Sequence, residues 1–179
     1  MADIKTFQKI NKEYIDLERS IRFLNNNYVL VGIPDEANGR DDNADVTNAD
    51  LLFIHTNGSP VNHIPPRPVI EPAIMNDKDR INSMLLKVFD RISKHDRGGA
   101  IRQLQLIGMR AQNVCRAWFV DPNNGWPPNS PATYQAKLEK YKRSHKGKQG
   151  TYTPRPLIDT GELRKSITYV LSLRGRRSK

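Results

Sequence analysis

Between Pro156 and Leu171 the apolar spacing of this chain changes from four to two within a few residues. Leu163 and Ile167 stand four apart and share one face of a helical turn. Ile167, Tyr169 and Leu171 then alternate with Thr168, Val170 and Ser172, which is the period of a strand. Pro156 disfavours helix before it, Asp159 or Thr160 stands where a cap belongs, and Glu162, three residues after Asp159, completes a capping-box pattern. A chain that passes from helix to strand here mixes both elements, and the stretch lacks the composition of a catalytic pocket.

The rest of the chain alternates helical and extended signals. Phe7, Ile10, Tyr14, Leu17, Ile21 and Leu24 step by 3 and 4, a narrow seam on a long amphipathic helix over 3–24. Such a seam either lies on its own domain or forms a contact between subunits. Tyr28 to Ile33 reads as a strand stopped by Pro34, and the acidic Asp35 to Asp45 as an exposed loop. Thr47 or Asn48 is placed to cap a helix over 49–57, with Gly58 in the left-handed position that closes it. Five prolines between Ser59 and Pro72 exclude regular helix there and predict a stiff, extended arm. Helical spacing returns over 73–95, breaks at Gly98-Gly99, and resumes over 100–120 as a second helix, antiparallel to the first. Ser130-Pro131 starts a helix to about Arg143, and 144–155 is a basic loop expected to be mobile. The expected fold class is therefore α+β, a small mostly antiparallel sheet flanked by helices. Its domains divide as the N-terminal helix 1–27, a body 28–173 and a basic tail 174–179.

Charge is distributed unevenly. Residues 1–70 hold 7 Lys/Arg against 10 Asp/Glu, 71–130 hold 9 against 6, and 131–179 hold 13 against 3. The basic end suits either nucleic acid or an acidic protein surface. Lys140, Lys142, Arg143, Lys146, Lys148 and Arg155 are interleaved with Tyr134, Tyr141 and Tyr152, so cations stand beside rings that can stack. No DNA-reading helix motif accompanies them, and contact with nucleic acid is expected to be backbone-level and insensitive to sequence. Mean hydropathy is −0.68 and the apolar runs are short, which predicts no membrane span.

Catalytic and metal chemistry find little material. His55 and His63 lack the spacing and further ligands of a zinc site, and His55 reads as a hydrogen-bonded structural residue. Asp41, Asp42 and Asp45 lack the glycine and distal glutamate of an EF-hand. The single cysteine, Cys115, beside Val114 and Trp118, reads as a core thiol. We expect no enzyme activity, no cofactor and no metal.

Three segments resemble one family. Leu157-Ile158-Asp159-Thr160-Gly161-Glu162-Leu163-Arg164-Lys165-Ser166-Ile167 resembles the C-terminal signature of the tailed-bacteriophage virion morphogenesis proteins, also called neck or tail-completion proteins. Ala49 to Gly58 followed by Ile64-Pro65-Pro66-Arg67-Pro68 is similar to the family's apolar helix and I-P-x-R-P element. Here Val69-Ile70 replaces a phenylalanine, and Thr56-Asn57 replaces the commoner Glu-Phe. Gly125 to Thr133 matches its W-x-P-x-x-x-x-T turn. The resemblance implies a structural virion protein, made in the host cytoplasm. Its subunits would form a six-fold ring, or a twelve-fold one beside the portal, that joins the filled head to the tail and lets DNA pass. Its neighbours would be head-completion or connector proteins and tail-terminator or tail-tube proteins, with non-specific contact to genomic DNA and none to membrane. Ile64, Pro65, Pro66, Arg67 and Pro68 are then expected to meet a neighbour, together with Phe7, Tyr14 and Leu17 of the seam. Asp159, Thr160, Gly161, Leu163 and Arg164 form the signature turn, with Arg164 paired to a carboxylate. Lys140 to Lys148 and Arg155 face DNA or an acidic ring. The alternative is a non-virion basic protein that binds nucleic acid or assists assembly.

Overall fold

In chain order the regular elements are α1 (Ile4–Asn26), β1 (Asn27–Gly32), α2 (Asn48–Asn57), α3 (Ile70–Asn76), α4 (Lys78–Ser93), α5 (Arg97–Trp118), α6 (Pro131–Ser144), α7 (Glu162–Ser166) and β2 (Thr168–Leu173). The computed structural model describes residues 4–39, 45–145 and 152–173, with side chains of α1 from Lys9 onward. Lys146, Lys148, the basic tail, Asp41, Asp42 and the side chain of Phe7 lie outside the described residues. The fold is α+β: mostly helical, with β1 and β2 paired in a small antiparallel sheet.

The described residues fall into two compact units, one of 4–31, 77–112 and 169–173 and the other of 32–39, 45–76, 113–145 and 152–168. The N-terminal helix thus groups with α4, the first part of α5 and most of the sheet, rather than standing apart from them.

In the first unit, α4 and α5 pack Val88, Ile92, Ala100, Leu104 and Ile107 into a common core. The sheet adds Val29 and Leu171, and α1 adds Phe23 and Leu24. These are the residues that 3.6-fold and two-fold periodicity place on one side of each element. The α4–α5 break falls at Lys94 to Asp96, where His95 takes φ +60°, and not at Gly98-Gly99. Both glycines sit in the first turn of α5, and Asp96 caps that helix by accepting the Gly99 N–H at 2.7 Å. The expected helix over 73–95 is likewise two helices, α3 and α4, interrupted at Asp77.

The α1 helix runs into β1 with no intervening residue. It turns Ser20, Phe23 and Leu24 inward, so of the described seam residues only Leu24 packs and the others face outward. Ile10 is 58% exposed, Tyr14 66%, Leu17 54% and Ile21 49%. Tyr28, Leu30 and Val170 of the sheet are exposed as well.

The second unit is built from α2, α3, the end of α5, α6 and α7. A capping box at Thr47, in which its hydroxyl accepts the Asp50 N–H and its own N–H donates to the Asp50 carboxylate, starts α2. Ser130 and Pro131 start α6 as expected. Its core includes Val69, Ala73, Cys115, Phe119, Leu163 and Ile167. Burial pushes the Cys115 thiol up to about 11, so at neutral pH it stays a protonated, packed thiol.

Gly108 tests the packing of the first unit. A Cβ there would stand 2.2 Å from Cδ2 of Tyr169. Gly108→Ala is expected to destabilise the protein by about 1–3 kcal/mol, and Tyr169→Leu in the same chain to recover part of that loss. A thermal denaturation series of the single and double variants checks both.

Candidate functional site

The three segments that carry the family resemblance meet in the second unit. Arg67, only 7% exposed, donates from its side chain to the carbonyls of Pro127 at 3.1 Å and Pro128 at 2.9 Å. Its backbone N–H donates to the His55 carbonyl. Trp126 returns the contact, its indole N–H donating to the Pro68 carbonyl at 2.9 Å, and packs edge-on against Phe119. Ile64 to Pro68 is therefore not a projecting arm. It lies on its own unit, with Arg67 consumed there, because a buried guanidinium without acceptors is too costly.

Gly58 makes this course possible. Its φ is +74° with an extended ψ, so it closes α2 without the left-handed geometry expected of it. A Cβ at this position would meet the Ile64 carbonyl and Pro66 nitrogen at 2.9 Å. The returning strand of backbone, bridged between Ser59 and Ile64, fits only against a bare Cα.

The signature segment is held by arginines to carbonyls. Arg116 donates to Ile167 at 2.8 Å and to Lys165 at 2.7 Å, and Arg164 donates to Arg116 at 2.7 Å. Arg164 thus engages a backbone carbonyl rather than a carboxylate. Leu163 and Ile167 are buried together, as their spacing requires. Neither Asp159 nor Thr160 is the N-cap of α7. That position belongs to Gly161, with φ +81°, and Thr160 Oγ1 accepts the Glu162 N–H instead. Asp159 pairs with Lys140 at 2.6 Å.

These segments line a cavity of about 880 Å³, with walls that include His55, Arg67, Lys137, Asp159, Glu162 and Lys165. Lys137 reaches in from α6, its amine donating to the carbonyls of Arg155 and Ile158, both at 2.8 Å. Burial lowers its pKa, Asp159 opposes that, and Arg67 and Lys140 add to it. Burial also lowers the pKa of His55, with Arg67 and Lys137 contributing. The Nδ1 of His55 is buried with no partner, so its side chain is not the satisfied structural group its position in α2 suggested. Among the described residues no three His, Cys, Asp or Glu side chains cluster to hold a metal ion, and no helix is long and apolar enough to cross a membrane.

Comparison with protein-family models, curated proteins and solved structures finds no match to this chain.

The basic candidates separate into two sets. Lys140 is engaged by Asp159, and Arg155 donates to the Val120 carbonyl at 3.0 Å. Lys142 and Arg143, in the last turn of α6, are exposed. Tyr141 stacks on His145 at 4.2 Å and on Tyr152 at 4.3 Å, both nearly parallel to it. Two rings at that distance occupy opposite faces, leaving Tyr141 none for a base. Sequence reasoning passed over Arg116 entirely. Its one signal is position, one residue after buried Cys115.

His55 makes stability depend on pH. A histidine whose native pKa is lowered is bound by fewer protons folded than unfolded, so its contribution is complete above about pH 6.5. That contribution is lost as pH falls through the lowered native value. The melting temperature is expected to drop between pH 7.5 and 5, and to drop less in His55→Gln. Gly161→Val forces a branched side chain to positive φ and is expected to cost about 1–3 kcal/mol. Equilibrium urea unfolding measures it.

Proposed function

We propose that this protein is a structural ring subunit of a tailed-phage neck, working through interfaces between the head and the tail. The observation that carries the reading is the apolar stripe of α1, where Ile10, Tyr14, Leu17 and Ile21 face outward along three turns. A contiguous stripe of large apolar side chains on a soluble surface marks a contact with another protein. Neighbouring copies of the chain are the partners the ring requires. The exposed Tyr28, Leu30 and Val170 supply more apolar surface in the same unit. The resemblance in three segments, joined in one unit by Arg67, Trp126 and the arginine-to-carbonyl contacts, supports the same assignment.

Head-completion or connector proteins and tail-terminator or tail-tube proteins are the adjacent rings in this proposal. Lys142 and Arg143 are the described residues that would meet passing DNA or an acidic neighbour. Contact of that kind is electrostatic, weakens with salt and reads no sequence.

Imaging the head–tail junction of purified particles at subunit resolution tests the proposal, and six or twelve copies between portal and tail are expected. Absence from particles overturns it in favour of a non-virion nucleic-acid-binding or assembly-assisting role. In the same assay Tyr14→Ser with Leu17→Ser is expected to reduce incorporation at least tenfold. Its melting temperature should change little, since neither side chain is buried in the subunit.

A further inference from the structure

The first unit holds a second cavity, of about 480 Å³, between α1 and the α4–α5 turn. Its apolar wall is Phe23 and Ile92, and its rim carries Arg19, Arg22 and Arg97. Asn27 also lines it. This side chain is 2% exposed, its Nδ2 donates to the Phe23 carbonyl at 2.7 Å, and its Oδ1 is buried with no partner. A buried acceptor left unsatisfied costs stability, so a ligand N–H or O–H that reaches Oδ1 gains by donating to it.

The rim is richer in donors than in acceptors. Arg19 donates through one nitrogen to Asp16 at 3.3 Å and to His95 Nε2 at 2.8 Å, and Arg22 donates to Glu18 at 2.5 Å. A guanidinium has no acceptor, so in the Arg19–His95 bond the arginine donates. Asp16 and Glu18 offset Arg19 and Arg22, leaving Arg97 as the net cation of the rim, and both paired arginines keep further N–H groups.

A ligand that satisfies this cavity has an anionic group at the rim, a neutral N–H at the Asn27 end, and an apolar or flat body between them. A lone phosphate fails at Asn27, because a carbonyl-type oxygen repels it. We propose that the cavity binds a nucleotide unit, with its phosphate on Arg19, Arg22 and Arg97 and a base N–H donated to Asn27 Oδ1. The volume lies within the ~300–1,000 Å³ of small-ligand sites, and arginines suit the several oxygens of a phosphate better than a single carboxylate. The source is either a free nucleotide or an unpaired nucleotide of a strand. The inference stands apart from the ring reading, since it rests on the first unit's interior and not on its outer stripe.

Titration of the ¹⁵N-labelled full chain with 2′-deoxyadenosine 5′-monophosphate, followed by NMR, tests it. Saturable shifts of the Phe23, Asn27 and His95 amides are expected by about 1 mM ligand. Deoxyadenosine, inorganic phosphate and the purine nucleotide lacking the amino group should each bind about tenfold more weakly or worse, the value of one lost charge-assisted or buried hydrogen bond. Arg97→Gln, at an exposed position and so expected to fold, should weaken binding about tenfold. An oligodeoxyadenylate that binds more tightly than the mononucleotide assigns the site to a strand, and equal or weaker binding assigns it to free nucleotide. No shift at those amides, equal binding of inorganic phosphate, or preferential binding of N-acetylglutamate overturns the proposal, the last in favour of a protein carboxylate.

Discussion

A buried guanidinium with no acidic partner among the described residues organises the second unit. Arg67 is withdrawn from water, which lowers its pKa, and its charge is answered by carbonyl dipoles of Pro127 and Pro128. Carbonyls held in fixed geometry can do this only if both chain segments are placed first, so the contact couples them. The prolines matter because they donate no backbone hydrogen bond and keep their carbonyls in a stiff frame. Gly58 turns the chain into position on one side, and Trp126 ties down Pro68 on the other. The cavity lined by His55, Lys137 and Lys165 is the space left among segments fixed in this way.

The first unit is held by ordinary hydrophobic complementarity. Two helices joined by a tight turn cover a two-stranded sheet that is too small to be stable alone. Asp96 closes the turn electrostatically as well as sterically. The Gly99 N–H it accepts, more than the nearby Arg91 and Arg102, holds its carboxyl below the usual range. The same unit leaves the apolar stripe of α1 uncovered while its hydrophobic core is closed. That combination separates the apolar residues that fold the unit from those left on its surface.

Local grammar was legible in the sequence, and long-range polar contacts were not. Ser130-Pro131, Thr47 and the change of period at Ile167 each carry their instruction within four residues, and each element formed there. Gly98-Gly99 misled because glycine resembles a break, whereas here it makes room for a capping carboxylate inside the first turn. The partners of Arg67, Arg116 and Arg164 had no sequence signature, since every residue carries a carbonyl and none marks which one an arginine will find. The seam of α1 shows the same limit in apolar form. Periodicity identified residues sharing one side of the helix, but of those described only Leu24 packs, and the buried side runs through Ser20 and Phe23 instead. Of the site, the meeting segments were legible as separate motifs, and the cavity they enclose was not.

The direct passage from α1 into β1 links the azimuth of that stripe to the register of the sheet. With no loop to absorb rotation, each residue added at the junction would turn the whole helix by about 100° about its axis. The stripe would then point elsewhere while every helical hydrogen bond remained intact. The strand thus acts as an index mark for the helix, so the direction of its exposed apolar stripe is set where Asn26 meets Asn27.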